Sequence, residues 1–291
     1  MTREISKVGV VGAGMMGSEI GLVSALAGRN VIVQDTDEAA TGSLHERMGK
    51  ILDKGVERGF YEAVQRDTAL ANLATTASLD DFNDRDMVIE AAVEDAGVKG
   101  TIFRQLDALC RPDCIVTSNT STISILSLSA NFSAERRGRF MGTHFFSPVS
   151  RMKLVEVIPQ RETDEADFET AMAFCRAIGK EPIKIKDVVG FAVNRVLHAL
   201  LIEAVRLVEE GVATPEDVDT ACRLGLGHPI GPFQLMDLTK NSLSLKVQGI
   251  LEDAYGPRFH SRPLLRQMVD AGHDGRYVGS GWYEDGTAKK K

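Results

Sequence analysis

The run Lys7-Val8-Gly9-Val10-Val11, followed at once by Gly12-Ala13-Gly14-Met15-Met16-Gly17, decides the fold. The β-branched residues read as a buried strand, and the glycines open a helical pattern from Met16 to Ala27 that Gly28 stops. In G-x-G-x-x-G the first glycine permits a tight turn and the second lets backbone approach a pyrophosphate. The third lets helix and strand pack closely, and the helix N-terminus supplies donors and positive potential. A tight turn without a ligand would use glycine as well. Asp35, however, closes the next strand, Asn30–Asp35, 18 residues after Gly17, where a carboxylate accepts from both hydroxyls of a ribose. Gly12, Ala13, Gly14, Met15, Met16, Gly17 and Asp35 therefore read as a dinucleotide site. Asp35 would repel a 2′-phosphate and Thr36-Asp37 bring no arginine to hold one, so the expected cofactor is NAD rather than NADP.

Outward from this unit, Met87–Ile89, Cys114–Val116, Phe140–Gly142, Leu154–Ile158 and Ile183–Ile185 read as further strands separated mostly by helix-compatible segments. This is the βαβ rhythm of an α/β, Rossmann-type doubly wound, largely parallel sheet. Residues 38–72 interrupt it with a charged helical pattern (Leu44, Met48, Ile51, Leu52, Val56) and no strand, read either as a helical hairpin projecting from the sheet or as surface padding. From Phe191 the strand signal gives way to Val193, Val196, Leu197, Leu200, Leu201, Ala204, Val205 and Val208 at helical spacing, with Thr214-Pro215-Glu216-Asp217 as a later helix start. The expected division is residues 1–187 for dinucleotide binding and 188–291 for an all-α domain that serves substrate binding and dimerisation.

The 291 residues suit two domains, and the net charge of −7, without a long basic run apart from the short tail Lys289-Lys290-Lys291, offers no footprint for nucleic acid or an anionic membrane. No apolar stretch is long enough to span a bilayer, and MTREISKVGVVGAG enters a strand without the layout of a secretory signal, so a cytoplasmic protein is expected. Cys110, Cys114, Cys175 and Cys222 are scattered and read as buried thiols, and the six histidines carry no ligand spacing, so no metal is expected.

Three further clusters carry chemistry. Ser118-Asn119-Thr120-Ser121-Thr122 follows a strand, placing hydroxyls and an amide at the cofactor crevice. His144 lies at the expected end of another strand, with Glu156 twelve residues on in a strand that can run beside it. A lone histidine is commonly structural, but a carboxylate on one ring nitrogen fixes the tautomer, stabilises the imidazolium and leaves the other nitrogen as a base. Asn194 places an amide on an otherwise apolar helical stripe, as a site residue, a cap or an interface hydrogen bond.

Taken in order, GAGMMGSEI, VIEAAVE, SNTSTISI, GTHFFSPVSRMKLVEVI, GFAVNR, GHPIGPFQL and GWY resemble the short-chain L-3-hydroxyacyl-CoA dehydrogenases over nearly the whole chain. The resemblance implies NAD-dependent, reversible oxidation of a 3-hydroxyacyl-CoA, with His144 as base, Glu156 orienting it, Ser121 on the substrate oxygen and Asn194 on the acyl portion. It implies cofactor contacts from Glu94, Lys99, Asn119, Ser121 and Ser147, a CoA-contacting arm in which Lys50 or Lys54 meets a phosphate, and a homodimer. HFFSP stands where HFFNP is usual, placing Ser147 at an asparagine position. GRYVGSGWY replaces GRKxGxGFY, placing Tyr277 at a lysine position. Asp237-Leu238-Thr239-Lys240-Asn241-Ser242 replaces Asp-x-x-Gly-Leu-Asp, and Val189 replaces a proline before Gly190-Phe191. These departures bear on the acyl group and carrier, and leave as alternatives a dehydrogenase for a hydroxyacyl carrier protein or a free hydroxy or sugar acid. An alternative of another class is a non-catalytic NAD-binding structural or regulatory protein, against which the intact Ser121, His144, Glu156 and Asn194 argue.

Overall fold

The structure, a computed structural model, describes residues 2–284; the basic tail Lys289–Lys291 lies outside the described residues. The chain divides into two compact units, Met1–Val188 and Val189–Lys291.

The first unit is built on eight strands: β1 Lys7–Val11, β2 Asn30–Gln34, β3 Leu73–Thr76, β4 Met87–Glu90, β5 Ile115–Ser118, β6 Phe140–Phe145, β7 Leu154–Pro159 and β8 Glu181–Lys184. Their spatial order is β3-β2-β1-β4-β5-β6-β7-β8. β1 to β6 run parallel, β6 pairs with β7 antiparallel, and β8 runs parallel to β7. The order reverses at β1, which opens a crevice beyond the strand ends between β1 and β4. Strands covered on both faces must be apolar on both, and Val8, Val10, Val31, Val33, Met87, Val88, Ile89, Ile115 and Val116 are all buried. On one face Phe103, Phe132 and Phe140 pack with ring centroids about 5 Å apart.

The helices of eight residues or more in this unit are α1 Met15–Leu26, α2 Leu44–Glu57, α3 Ala63–Ala71, α4 Ala96–Leu109 and α5 Glu165–Ala177. The helical excursion after β2 is α2 and α3. It docks rather than projects: Leu44, Met48 and Leu52 of α2 join the core formed with Ile20 and Val23 of α1. The excursion also ends in a strand that the sequence reading lacks, β3, an edge strand of four residues.

The second unit comprises α6 Val193–Glu209, α7 Pro215–Gly225, α8 Pro232–Thr239, α9 Asn241–Tyr255 and α10 Pro263–Asp270. The stripe on α6 buries Leu201 and Val205 against Val218, Cys222, Phe233, Met236 and Leu265. Thr214 caps α7 by accepting from the Asp217 N–H at 3.2 Å, with Pro215 in the first turn. No helix among the described residues is long and apolar enough to cross a membrane.

One buried group on α6 makes this unit sensitive to acid. His198 is buried, its Nδ1 has no hydrogen-bond partner, and burial lowers its pKa from 6.5 to about 4. Below about pH 6.5 the unfolded chain takes up a proton that the folded chain refuses, so stability falls from there down to the folded value. The loss is roughly 3 kcal/mol if the whole shift is expressed. His198→Leu should flatten the fall in Tm between about pH 7 and pH 4 without lowering Tm at neutral pH. Thermal unfolding of the two proteins across that range measures it, and parallel curves would show that His198 does not carry the dependence.

Candidate active site

The glycine loop follows β1 as the motif requires. Gly12 has φ 104°, and a Cβ there would lie 2.6 Å from the Ala91 carbonyl oxygen; one on Gly17 would lie 1.9 Å from the Gly12 carbonyl oxygen. Gly14, by contrast, has open space where a side chain would be. Backbone can therefore approach a ligand there, at the uncapped N-terminus of α1. Met15 and Met16 begin that helix, and Met15 is exposed beside the loop. Asp35 follows β2, one oxygen accepting from the Ala13 N–H at 2.7 Å and the other from the Asp37 N–H at 3.0 Å. A carboxylate has about four acceptor sites, so two bonds leave room for ribose hydroxyls. Loop and Asp35 line a cleft of about 1170 Å³ whose walls include Ser78, Asp80, Val93 and Ile102. The size and the donor–acceptor layout fit an adenine dinucleotide.

The second half of the site stands at the ends of β4, β5 and β6. In the antiparallel register His144 faces Glu156, and the imidazole Nδ1 lies 2.8 Å from Glu156 Oε2. His144 is 5% exposed and Glu156 0%. An ionised carboxylate only accepts, so Nδ1 carries the proton and Nε2 is left as the basic nitrogen. Ser121 Oγ sits 3.0 Å from that nitrogen. The sequence reading puts His144 at a strand end after Gly142; β6 runs on to Phe145, so the ring is held within the strand.

Glu94 fixes the loop that carries Ser121. Its Oε1 accepts from the Thr120 hydroxyl at 2.6 Å, the Ser121 N–H at 2.9 Å, and the Thr122 N–H and hydroxyl at 3.0 Å each. Burial pushes this carboxyl up, but the Thr120 hydroxyl, the Lys99 ammonium and the two N–H groups outweigh it and hold Glu94 below the ordinary carboxylate range. Lys99 is 1% exposed, 2.6 Å from Glu90 and 3.4 Å from Glu94. Its ammonium is thus committed to two carboxylates. Glu90, which the sequence reading passes over, is fully buried and also accepts from the Ser118 hydroxyl at 2.6 Å and the Ala92 N–H at 2.7 Å. Asn119 Oδ1 accepts from the Phe145 N–H at 2.8 Å, tying β5 to β6. Ser147 donates to the Met15 sulfur at 3.5 Å, so it stands at the glycine loop.

The remaining candidates lie on α2 and in the helical unit. Lys50 and Lys54 are exposed on α2, and Lys50 pairs with Glu46 one turn earlier. Asn194 is half-buried in the first turn of α6, in the helical unit, after Ala192 as the N-cap. Tyr277, also in that unit, is exposed and takes a hydrogen bond from Arg276 at 3.1 Å. Among the described residues no group of three or more His, Cys, Asp or Glu is placed to hold a metal ion.

A glycine-rich turn at a helix N-terminus, a carboxylate after the neighbouring strand and an imidazole–carboxylate pair on one sheet have the layout of a nicotinamide-dependent dehydrogenase. Residues 7–188 match the 3-hydroxyacyl-CoA dehydrogenase NAD-binding domain and residues 190–285 the 3-hydroxyacyl-CoA dehydrogenase C-terminal domain. The chain belongs to the 3-hydroxyacyl-CoA dehydrogenase family. It is 42% identical over 286 residues to a 3-hydroxybutyryl-CoA dehydrogenase of Mycobacterium tuberculosis, covering 97% of this chain and 99% of that one. A 3-hydroxybutyryl-CoA dehydrogenase of Clostridioides difficile is 36% identical over 96% of this chain and 99% of its own length. The crystal structure of (S)-3-hydroxybutyryl-CoA dehydrogenase from Ralstonia eutropha superposes with a TM-score of 0.92 at 37% identity, covering 98% of this chain and 100% of that one.

Asp35 gives a direct test of the cofactor half. Asp35→Ala should narrow the preference for NAD over NADP by about tenfold or more, as a repelling charge is removed. It should also weaken NAD itself, because the Ala13 N–H loses its acceptor. Paired kcat/KM values for the two cofactors decide it, and a wild type that reduces NADP as readily as NAD would show that Asp35 does not discriminate.

Proposed function

We propose that this chain interconverts a 3-hydroxyacyl-CoA and the 3-ketoacyl-CoA with NAD, and that His144, Glu156, Ser121 and Asn194 are its catalytic set. The observation that carries the reading is the line Ser121 Oγ, His144 Nε2, His144 Nδ1, Glu156 Oε2, with spacings of 3.0 and 2.8 Å at its two hydrogen bonds. Bound NAD supplies the hydride acceptor. In oxidation His144 Nε2 takes the proton of the C3 hydroxyl, Ser121 orients that oxygen, and the Glu156 carboxylate stabilises the imidazolium that forms. In reduction the same imidazolium returns the proton. Asn194 contacts the acyl portion, Lys50 or Lys54 meets a CoA phosphate, and Glu94, Lys99, Asn119 and Ser147 belong to the cofactor side.

The assembly we favour is a homodimer through the helical unit, in which Val196 is 72% and Leu224 81% exposed. A reducing, cytoplasmic setting agrees with four cysteines that are all buried thiols. NADH formation with a panel of hydroxyacyl-CoA, hydroxyacyl carrier-protein and free hydroxy-acid substrates tests the reading. Turnover of free acids alone would overturn the thioester assignment, and cofactor binding with no turnover would favour a non-catalytic role.

Two sets of variants test the machinery. Glu156→Gln should lower the maximal oxidation rate ~10²-fold or more, and His144→Ala at least as much. The double variant should lose far less than the product of the two, because residues acting as a unit are not additive. Multiplicative losses with intact NADH binding would mean that the pair does not work together. Ser121→Ala should reduce turnover more than NADH affinity; the opposite pattern would move Ser121 to the cofactor side.

A further inference from the structure

Arg47 on α2 reaches the back of the dinucleotide loop. Its Nη2 donates to the Ala13 carbonyl at 2.8 Å, to Ser18 Oγ at 3.2 Å and to the Ala40 carbonyl at 3.0 Å. Both backbone polar groups of Ala13 are thereby held. Its N–H goes to Asp35, and its oxygen accepts from Arg47 and from the Ser18 hydroxyl at 2.8 Å. Arg47 lies on the inward side of α2, between Leu44 and Met48, whose side chains are in the core. The guanidinium is thus carried by a helix that is itself packed into the core with α1.

Burial by itself disfavours this arginine. Its Nε is buried without a hydrogen-bond partner, and among the described residues no carboxylate stands within ion-pair distance of it. A half-buried cation with one orphaned donor and no counter-charge is destabilising compared with an apolar side chain of similar length. What it does provide is one charged Nη2, its two hydrogens shared among three acceptors, that joins the arm, the Ala40 segment after β2 and the middle of the loop. It also places a positive charge behind the loop, where a pyrophosphate would lie in front.

We propose that Arg47 is a positioning residue through which the helical arm sets the dinucleotide loop, so that cofactor affinity depends on how the arm is held. Where the arm also holds the thioester, a point that rests on the function proposed above, cofactor and thioester binding are coupled through this side chain.

The test is NADH affinity by fluorescence titration of the full chain for wild type, Arg47→Gln and Arg47→Lys. Circular dichroism and Tm serve as checks of folding. Arg47→Gln should weaken NADH about tenfold, as expected when one well-placed charged contact is lost, and raise KM for NAD by more than it lowers kcat. Arg47→Lys keeps the charge and loses the fork, and should recover part of the affinity. A merely structural role would lower Tm for both variants and leave the affinity of the folded fraction unchanged; that result overturns the proposal. If Arg47→Gln fails to fold, Arg47→Lys alone decides, since NADH affinity equal to wild type would then refute the link. Repeating the titrations with 3-hydroxybutyryl-CoA present, a thioester already at the oxidation level that cannot react with NADH, reads the coupling. Wild type should bind NADH more tightly with the thioester than without, and Arg47→Gln should lose most of that difference. An equal difference in both would overturn the coupling. A wild type indifferent to the thioester, with NADH affinity still lost in Arg47→Gln, would overturn the coupling and leave the loop assignment standing, whereas failure to turn over any acyl-CoA would overturn the thioester reading itself.

Discussion

The antiparallel pairing of β6 with β7, at one side of an otherwise parallel sheet, is the constraint on which the site depends. Facing residues of antiparallel strands place their Cβ atoms about 5 Å apart on the same face, which suits an imidazole and a carboxylate in hydrogen-bond contact. Glu156, with no exposure, would be costly as an unpaired ion, and the His144 N–H at 2.8 Å is one compensation for its burial. The dependence is mutual, because the ring sits on a strand whose register cannot slip by one residue without turning His144 to the opposite face. The orientation of the imidazole is therefore fixed by sheet geometry rather than by a loop.

The same device recurs one strand pair away, with the roles reversed. At β4 and β5 the buried charges hold the segment that carries Ser121 towards His144. Lys99 neutralises Glu90 and Glu94 together. Glu90 then binds Ser118, and Glu94 binds three successive residues through Ser121 and its neighbours. Each of these carboxylates meets several donors, as a polar network in a low dielectric must if it is to stiffen the site rather than weaken it. Ser121 consequently meets His144 from a loop that has little freedom of its own.

Legibility in the sequence follows the range of the interaction. The glycine loop and Asp35 are local, each stated by a short spacing, and their placement at the ends of β1 and β2 is readable from it. His144 and Glu156 are only twelve residues apart, so adjacent strands can be inferred, though the sense of the pairing and the true length of β6 cannot. β3 escapes because Leu73-Ala74-Thr75-Thr76 is an edge strand with one fully buried residue, too short and too exposed to stand out from the helices before it. Glu90 sits in plain view within VIEAAVE, yet its partners arrive from Lys99 and Ser118, nine and twenty-eight positions on. The helical period after Asp35 is visible too, but not the face that docks on α1 or the arginine that reaches behind the loop.

The departures in the helical unit show how a family geometry survives changed residues. Lys240 adopts φ 107° where the family pattern has glycine, a conformation that costs an L side chain on the order of 1–3 kcal/mol. It is kept because the turn is held from both sides. The Lys240 N–H bonds the Met236 carbonyl at 2.8 Å, and Asp274 receives both the Ser242 N–H and its hydroxyl. Next to it, Asn241 replaces an apolar leucine and is fully buried, which would be unfavourable alone. But GWY replaces GFY forty residues later, and the Trp282 indole N–H, a donor that phenylalanine lacks, bonds the Asn241 oxygen at 2.8 Å. The Asn241 amide donates in turn to the His273 carbonyl at 2.8 Å. Each substitution supplies the partner that the other needs, so two changes that look disruptive in sequence form one satisfied hydrogen-bonded pair. They act on packing within the helical unit, and so they need not signal a change of substrate.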